Sequence, residues 1–186
     1  MNTVITYSRY GGPEVLSLSE AAIPQPGPGQ VRIRVQAVAV NLIDAKVRSG
    51  RLDGIFPAQF PVLPGWDVAG VVDAAGDGAS ATAGDEVFGV ASVGGYSQYA
   101  LLDRPVRKPA TLSFESAAAV VTVGEAAFRV LKHLGLKAGQ TLLILGAGGS
   151  VAVPVWRTYP LAEAAKAHAD LEAGRNHGKI ILLPSP

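Results

Sequence analysis

The segment that decides the fold class is VRIRVQA, residues 31–37. Apolar and polar side chains alternate there with a period of two, directly after the turn signal Pro28-Gly29, and this pattern is typical of a β-strand with one solvated face. Three later segments also have strand character and are separated by glycine-containing turns; they are Val68–Asp73, Glu86–Val90 and Tyr96–Leu102. We therefore predict a compact β domain in the first hundred residues.

Helical patterns follow in the second half of the chain. Thr122-Val-Gly-Glu125 fits a capping box, and the residues after it keep the three-four spacing of a buried helix face until Gly135. The residues of that face are Ala127, Val130, Leu131 and Leu134. A second helix is predicted to begin near Pro160 and to end at Gly174, and Ile180–Leu183 is predicted to form a last strand. The predicted fold class is therefore β-rich α+β.

Composition narrows the possible partners. The 186 residues are enough for one domain with additional segments. The 16 Lys and Arg against 15 Asp and Glu give a net charge of +1, and no basic run is present, so we expect no nucleic acid partner. The absence of Cys excludes disulfides and thiolate zinc sites. No signal peptide pattern is present, and the longest apolar stretch, Ala117–Val123, is too short to span a membrane. We expect a cytoplasmic protein without membrane association.

Four motifs occur in the order seen in zinc-independent, zeta-crystallin-like quinone oxidoreductases. They are Asn41-Leu-Ile-Asp44 with Arg48-Ser-Gly50, Pro64-Gly-Trp-Asp-Val-Ala-Gly70, Gly84-Asp-Glu-Val-Phe-Gly89 and Gly95-Tyr-Ser-Gln-Tyr99. The resemblance resumes in Leu161–Leu183, which contains Gly178-Lys-Ile-Ile. The chain thus resembles members of the medium-chain dehydrogenase/reductase superfamily. The resemblance implies their GroES-like catalytic domain, a partly open β-barrel with peripheral helices.

One part of that family's architecture is incomplete here. Thr141–Leu145 with Gly146, Gly148 and Gly149 resembles the first Rossmann strand and its phosphate-binding glycine turn, but Pro154 prevents the helix that should follow. We predict that most of the Rossmann domain is deleted, leaving a catalytic domain in residues 1–121, a linking remnant in 122–151 and a completing segment in 152–186. The remnant apolar strand would lack neighbouring strands, and because an exposed strand edge tends to pair with another chain, we predict a homo-oligomer.

The resemblance also implies a chemistry and a set of site residues. Family members use NADPH to reduce a quinone or an α,β-unsaturated carbonyl compound. By motif, Asn41 would lie near the nicotinamide and the substrate, Asp44 and Arg48 would form the same wall, and Trp66 and Asp67 would line the cleft. Structural roles remain open for each, because Asx residues also cap turns, Trp66 also suits a core and Arg48 could pair with a carboxylate.

Two departures from the wider family affect cofactors. Where zinc-binding members carry Gly-His-Glu, this chain has Pro64-Gly-Trp-Asp67, and its three histidines, His133, His168 and His177, lack ligand spacing, so we expect no zinc and structural or solvent-facing histidines. Where the family often has Gly-Leu-Thr-Ala near the nicotinamide, the chain has Gly124-Glu-Ala-Ala127. A hydroxyl that could contact the cofactor is therefore missing.

Three functions remain open at this point. The chain could be an NADPH-dependent reductase, although the incomplete glycine turn leads us to expect no redox turnover by this chain alone. It could be a binding or assembly module that keeps the substrate cleft. It could also be a cyclase or isomerase without redox chemistry, using Asp44 or Asp67 as a general base. A small carbonyl or quinone-like molecule is the expected ligand in each case that uses the cleft.

Overall fold

The computed structural model describes residues 1–143 and 154–184. Within them lie nine strands, which are β1 (Asn2–Thr6), β2 (Ser17–Ala21), β3 (Val31–Val40), β4 (Asp67–Ala75), β5 (Glu86–Val90), β6 (Tyr99–Leu102), β7 (Val106–Arg107), β8 (Val155–Pro160) and β9 (Lys179–Leu183). The described residues also include three α-helices, which are α1 (Leu42–Arg48), α2 (Phe114–Leu134) and α3 (Ala164–Glu172). Short 3₁₀ turns lie at Pro13–Val15 and Leu161–Glu163. The predicted β-rich α+β class is confirmed.

The central strand of the molecule is β3. One edge of β3 pairs with β4, and its other edge pairs first with β6 and then with β9. The strand order β7-β5-β4-β3-β9-β8 makes an open sheet among the described residues, and β1 and β2 form a separate hairpin. All of these pairs are antiparallel except β8 with β9. β3 therefore links the N-terminal strands to the C-terminal ones.

The burial of β3 explains both its sequence and its place in the sheet. In its first half Val31, Ile33 and Val35 are buried while Arg34 is exposed, as the period of two predicts. From Ala37 onward every residue is buried, because the two faces carry different cores. Ala37 and Ala39 pack against α2, and the small side chains allow this close approach. The other face packs into the larger core, which includes residues of α3.

Helix α2 begins earlier than the sequence pattern indicates. Its N-cap is Ser113, whose hydroxyl accepts the amide of Ser116 at 3.2 Å, so the predicted start at Thr122 is wrong. Thr122 lies within the helix, and its hydroxyl donates to Asp67. The predicted end at Gly135 is confirmed, since this C-cap glycine has a φ of 61°.

The predicted buried face of this helix needs a second correction. Val130, Leu131 and Leu134 are 57%, 41% and 57% exposed, and Ala127 is half-buried. Only the first half of α2, including Ala117–Ala119 and Val123, packs on the sheet. The period of the apolar residues is helical, as predicted, but the second half extends past the sheet into space that no described residue fills.

The other boundaries shift by a few residues. Strand β6 begins at Tyr99 instead of Tyr96, because the amide of Tyr96 donates to the carbonyl of Pro64 in a turn. Thr141–Leu143 form no strand, and the predicted glycine turn with Gly146, Gly148 and Gly149 lies outside the described residues. The second helix and the last strand are present, but α3 begins only at Ala164, after the 3₁₀ turn at Leu161–Glu163, and β9 begins one residue earlier than predicted, at Lys179.

Candidate functional site

Three strands bring polar side chains together at one end of the sheet. Asn41 directly follows β3, while Asp67 and Lys179 are the first residues of β4 and β9. Both of these strands run antiparallel to β3, so their beginnings lie beside its end. Thr122 of α2 completes this group, because α2 packs across β3 and β4. We call Asn41, Asp67, Thr122 and Lys179 the Asn41 cluster.

Hydrogen bonds fix every member of the Asn41 cluster. The Nζ of Lys179 donates to Oδ1 of Asn41 at 2.7 Å, and Nδ2 of Asn41 donates to Oδ2 of Asp67 at 2.9 Å. Thr122 gives Asp67 two more hydrogen bonds, from its hydroxyl at 2.6 Å and from its amide at 3.1 Å. These contacts determine which end of the Asn41 amide is oxygen, because a lysine ammonium can only donate.

Burial strengthens the interactions among Asn41, Asp67 and Lys179, whereas Thr122 is an exposed residue. Asp67 is fully buried, and Asn41 and Lys179 are each 7% exposed. Burial lowers the pKa of Lys179 from its ordinary value, while the nearby Asp67 and Asp44 carboxylates oppose that change. Three donors converge on the Asp67 carboxylate, which satisfies a buried charge that would otherwise be costly. The side-chain amide of Asn41 is therefore held in one orientation by Lys179 and Asp67.

Asp44 lies directly behind Asn41 in the first turn of α1. Its Oδ2 accepts the backbone amide of Asn41 at 2.8 Å, so Asp44 holds the start of the helix in place. Burial raises the pKa of Asp44 to about 7, and the charge of Asp67 adds to this effect. The hydrogen bond from Asn41 opposes it. Asp44 can therefore gain or lose a proton near neutral pH.

Two of the predicted site residues lie outside this group. Arg48 is fully buried, and its NH2 donates to Oε1 of Glu172 on α3 at 2.7 Å, in agreement with the structural role left open for it. Trp66 is half-buried, and its ring lies 5.7 Å from that of Phe56 in a tilted arrangement. The structure thus brings together Asn41, Asp44 and Asp67, whereas Arg48 joins two helices and Trp66 belongs to an aromatic pair.

The sequence analysis predicts no role in the functional site for two members of the cluster, Lys179 and Thr122. Lys179 lies in the motif Gly178-Lys-Ile-Ile, which was used only to recognise the C-terminal segment. Thr122 was interpreted as a helix cap. The available signal was a lysine at the start of a buried strand, since Lys is almost never buried without a partner.

Comparison with known proteins agrees with this fold. Residues 27–106 match the Alcohol dehydrogenase GroES-like domain family. A quinone oxidoreductase from Lama guanicoe is 44% identical over 153 residues, which are 79% of this chain and 46% of that protein. The chain is similar to curated quinone oxidoreductases over most of its own length. It spans about half the length of the curated relatives it matches.

Solved structures show the same fold. The native structure of a mycobacterial quinone oxidoreductase superposes with a TM-score of 0.89 at 20% identity, covering 99% of this chain and 100% of that chain. The Escherichia coli quinone oxidoreductase complexed with NADPH superposes with a TM-score of 0.65 at 31% identity, covering 71% of this chain and 41% of that one. The predicted GroES-like fold is confirmed, with the strands in an open sheet.

The three histidines of the chain have different environments. His168 is fully buried on α3, while His133 and His177 are exposed. In residues 1–143 and 154–184, no three His, Cys, Asp or Glu side chains are grouped so that they could hold a metal ion. In the same part of the chain, no helix is long and apolar enough to cross a membrane.

Proposed function

We propose that the chain forms the substrate-binding wall of a quinone or enone oxidoreductase, in which Asn41 orients the carbonyl oxygen of a small acceptor. The observation that carries this proposal is the fixed amide of Asn41. Its Oδ1 is held by Lys179, and only one of its two Nδ2 hydrogens is used among the described residues, by Asp67. The second N–H is free to donate to a carbonyl oxygen.

An apolar groove beside the cluster suits the ring of such an acceptor. The groove has a volume of about 790 Å³, and its lining includes Val90, Val120 and Val121. Val90 is the strand partner of Asp67, and Val121 precedes Thr122, so two lining residues neighbour members of the Asn41 cluster, although no member of the cluster lines the groove itself. Ligand sites usually combine an apolar lining with a few fixed polar groups. A planar quinone, which has an apolar ring and carbonyl oxygens, is a ligand that such a site would suit.

The described residues do not fit the dinucleotide cofactor. Their three α-helices follow Asn41, Ser113 and Glu163, and none of these N-caps follows a glycine-rich turn that could hold a pyrophosphate. In the family that the sequence resembles, NADPH supplies the hydride from a separate Rossmann domain. We therefore propose that this chain binds the acceptor and has no redox turnover alone.

The same proposal includes the organisation of the chain. Residues 1–121 would be the catalytic domain, 122–151 a linking remnant and 152–186 the segment that completes the domain. The exposed apolar side chains on the second half of α2 support a homo-oligomer, since exposed apolar surface of this kind favours association.

Two titrations test the proposal. Calorimetry with a 1,4-naphthoquinone should show saturable binding, and Asn41→Ala should weaken it at least about tenfold, since a lost hydrogen bond of this kind contributes about 1.5 kcal/mol. Gln140→Ala, which removes an exposed amide, should leave the affinity unchanged. Saturable NADPH binding would refute the absence of a cofactor site, and equal quinone affinities of wild type and Asn41→Ala would refute the role of Asn41.

A second function, an isomerase or cyclase acting on a carbonyl compound, would use Asp44 as a general base. Its pKa of about 7 suits that role at neutral pH, but a general base must also reach the proton it removes, and Asp44 is 4% exposed and lies behind Asn41. Turnover of an enone without any nucleotide, lost in Asp44→Asn, would support this function over the first one.

A further inference from the structure

Behind the Asn41 cluster lies a row of three buried side chains to which the proposed function gives no role as a unit. Tyr96 is the middle member, and its hydroxyl lies 3.2 Å from Oδ2 of Asp44 and 2.9 Å from Nε2 of His168. Asp44, Tyr96 and His168 are 4%, 1% and 0% exposed. They come from α1, from the turn before β6 and from α3, so folding brings three distant segments into one line.

When the proton of a neutral Asp44 lies on Oδ2, the single hydroxyl hydrogen of Tyr96 allows this row two arrangements. Tyr96 has one hydrogen, which it donates either to Asp44 or to His168. If Asp44 is ionised, Tyr96 donates to it, and His168 must carry its proton on Nε2 to donate to Tyr96. If Asp44 is protonated, it donates to Tyr96, Tyr96 donates to Nε2, and the imidazole proton lies on Nδ1.

The far end of the row is Nδ1 of His168, which is buried and has no hydrogen-bond partner among the described residues, so no other described group fixes the tautomer of the ring. A proton that binds at Nδ1 allows the Nε2 proton to pass to the Tyr96 oxygen and the Tyr96 proton to pass to Oδ2 of Asp44. One proton enters and one carboxylate is neutralised, so the step balances and no other group changes its charge.

Charged and titratable groups face this row from several elements. They are Arg48 on α1, Asp67 on β4, Lys179 on β9, Tyr7 after β1 and Glu172 on α3, which pairs with Arg48. Burial and the charge of Arg48 lower the pKa of His168 to about 3, so its imidazole stays neutral near pH 7. Burial and the charge of Asp44 hold the pKa of Tyr96 well above its ordinary value. Asp44 is therefore the member of the row that titrates near neutral pH.

We propose that Tyr96 and His168 form a proton relay for Asp44, in which protonation of Asp44 reverses the Tyr96 hydroxyl and switches His168 from its Nε2–H to its Nδ1–H tautomer. Because Asp44 also accepts the Asn41 amide, the relay sets the protonation state of the group that holds Asn41 in place. Tyr96 and His168 are thus positioning residues for the Asn41 cluster.

Nuclear magnetic resonance of the intact chain, labelled with ¹⁵N in its histidines, tests the relay without any ligand. The Nδ1 and Nε2 shifts of His168 should show a neutral ring from pH 5 to 8.5, in which the ratio of the Nδ1–H to the Nε2–H tautomer falls about tenfold per pH unit and passes through one near pH 7. The exposed His133 and His177 serve as reference signals in the same sample. A constant His168 tautomer over this range would overturn the proposal.

Two variants separate the relay from a purely structural role. In Asp44→Asn the tautomer of His168 should become independent of pH, since an amide does not titrate. In Tyr96→Phe it should also become independent of pH, because the connecting hydroxyl is gone. A switch that persists with the same midpoint in either folded variant would refute the relay. If Tyr96→Phe does not fold, Asp44→Asn and the wild type decide the matter. No outcome depends on quinone binding.

Discussion

Replacing Asp44 with Asn should reveal a pH dependence of stability that the wild-type chain conceals. Two buried groups have pKa values that folding moves in opposite directions. The pKa of Asp44 rises from 3.8 to about 7, chiefly through burial, and burial lowers that of His168 from 6.5 to about 3. Between about pH 4 and pH 6.5 both groups are therefore neutral in the folded chain and charged in the unfolded chain.

The two contributions have opposite signs. The folded chain keeps a proton on Asp44 that the unfolded chain releases, so the contribution of Asp44 to stability is present at pH 4 and is lost as the pH rises to 7. The unfolded chain binds a proton on His168 that the folded chain lacks, so the contribution of His168 is present above pH 6.5 and is lost as the pH falls. Each changes by about 1.4 kcal/mol per pH unit, and they nearly cancel.

Each single variant removes one side of this balance. Relative to the wild type, Asp44→Asn should gain about 3 kcal/mol of unfolding free energy between pH 4.5 and pH 6.5, and His168→Gln should lose a similar amount. Urea unfolding at half-unit pH steps measures both differences. Asp77→Asn, at an exposed position, is the control for the loss of a carboxyl group and should give no such slope. If the Asp44→Asn and wild-type stabilities run parallel over this range, the reasoning is wrong.

Two further substitutions test the packing around the site. Thr122→Val keeps the shape of the side chain but removes the hydroxyl that donates to Asp67, and urea unfolding should show a loss of about 1.5 to 3 kcal/mol. Gly65→Ala would place a Cβ 2.1 Å from the ring of Tyr96 at a φ of 88°, so thermal unfolding should show a loss of at least about 2 kcal/mol.

Matched variants identify the cause of each loss. Thr111→Val changes an exposed threonine and should leave stability within about 0.5 kcal/mol of the wild type. Gly78→Ala has a similar positive φ of 73° but meets no atom within 4 Å, so it measures backbone strain without the clash. Equal losses in Gly65→Ala and Gly78→Ala would show that contact with Tyr96 is unimportant.

Much of the fold was predictable because local patterns set it. The alternation in residues 31–37 predicts β3, and Glu86–Val90 is predicted with its observed bounds. Local patterns cannot show whether a periodic apolar face meets a partner, and for this reason the exposed second half of α2 was predicted as buried. Thr122 shows the same limit, since a capping pattern does not reveal that a carboxylate from another strand lies nearby.

The site was partly predictable for a different reason. Motif resemblance indicated Asn41, Asp44 and Asp67, and these three lie together. Lys179 contacts Asn41 across 138 residues of sequence, and nothing local to either residue indicates that contact. Arg48 belongs to the same motif as Asn41, but a helix turn carries it toward α3, where Glu172 pairs with it. Membership in a motif therefore does not establish membership in a site.

The position of β9 on the edge of β3 also determines the order in which the molecule can form. β3 and its partners β4 and β6 come from residues 31 to 102, whereas β9 joins the same strand from residues 179 to 183. Contacts so distant in sequence form slowly, because a long loop must close before they give any stabilisation. The N-terminal sheet can therefore assemble during synthesis. The amide oxygen of Asn41 lacks its hydrogen bond from Lys179 until β9 pairs with β3. The site proposed for the acceptor is then complete only after β9 has docked.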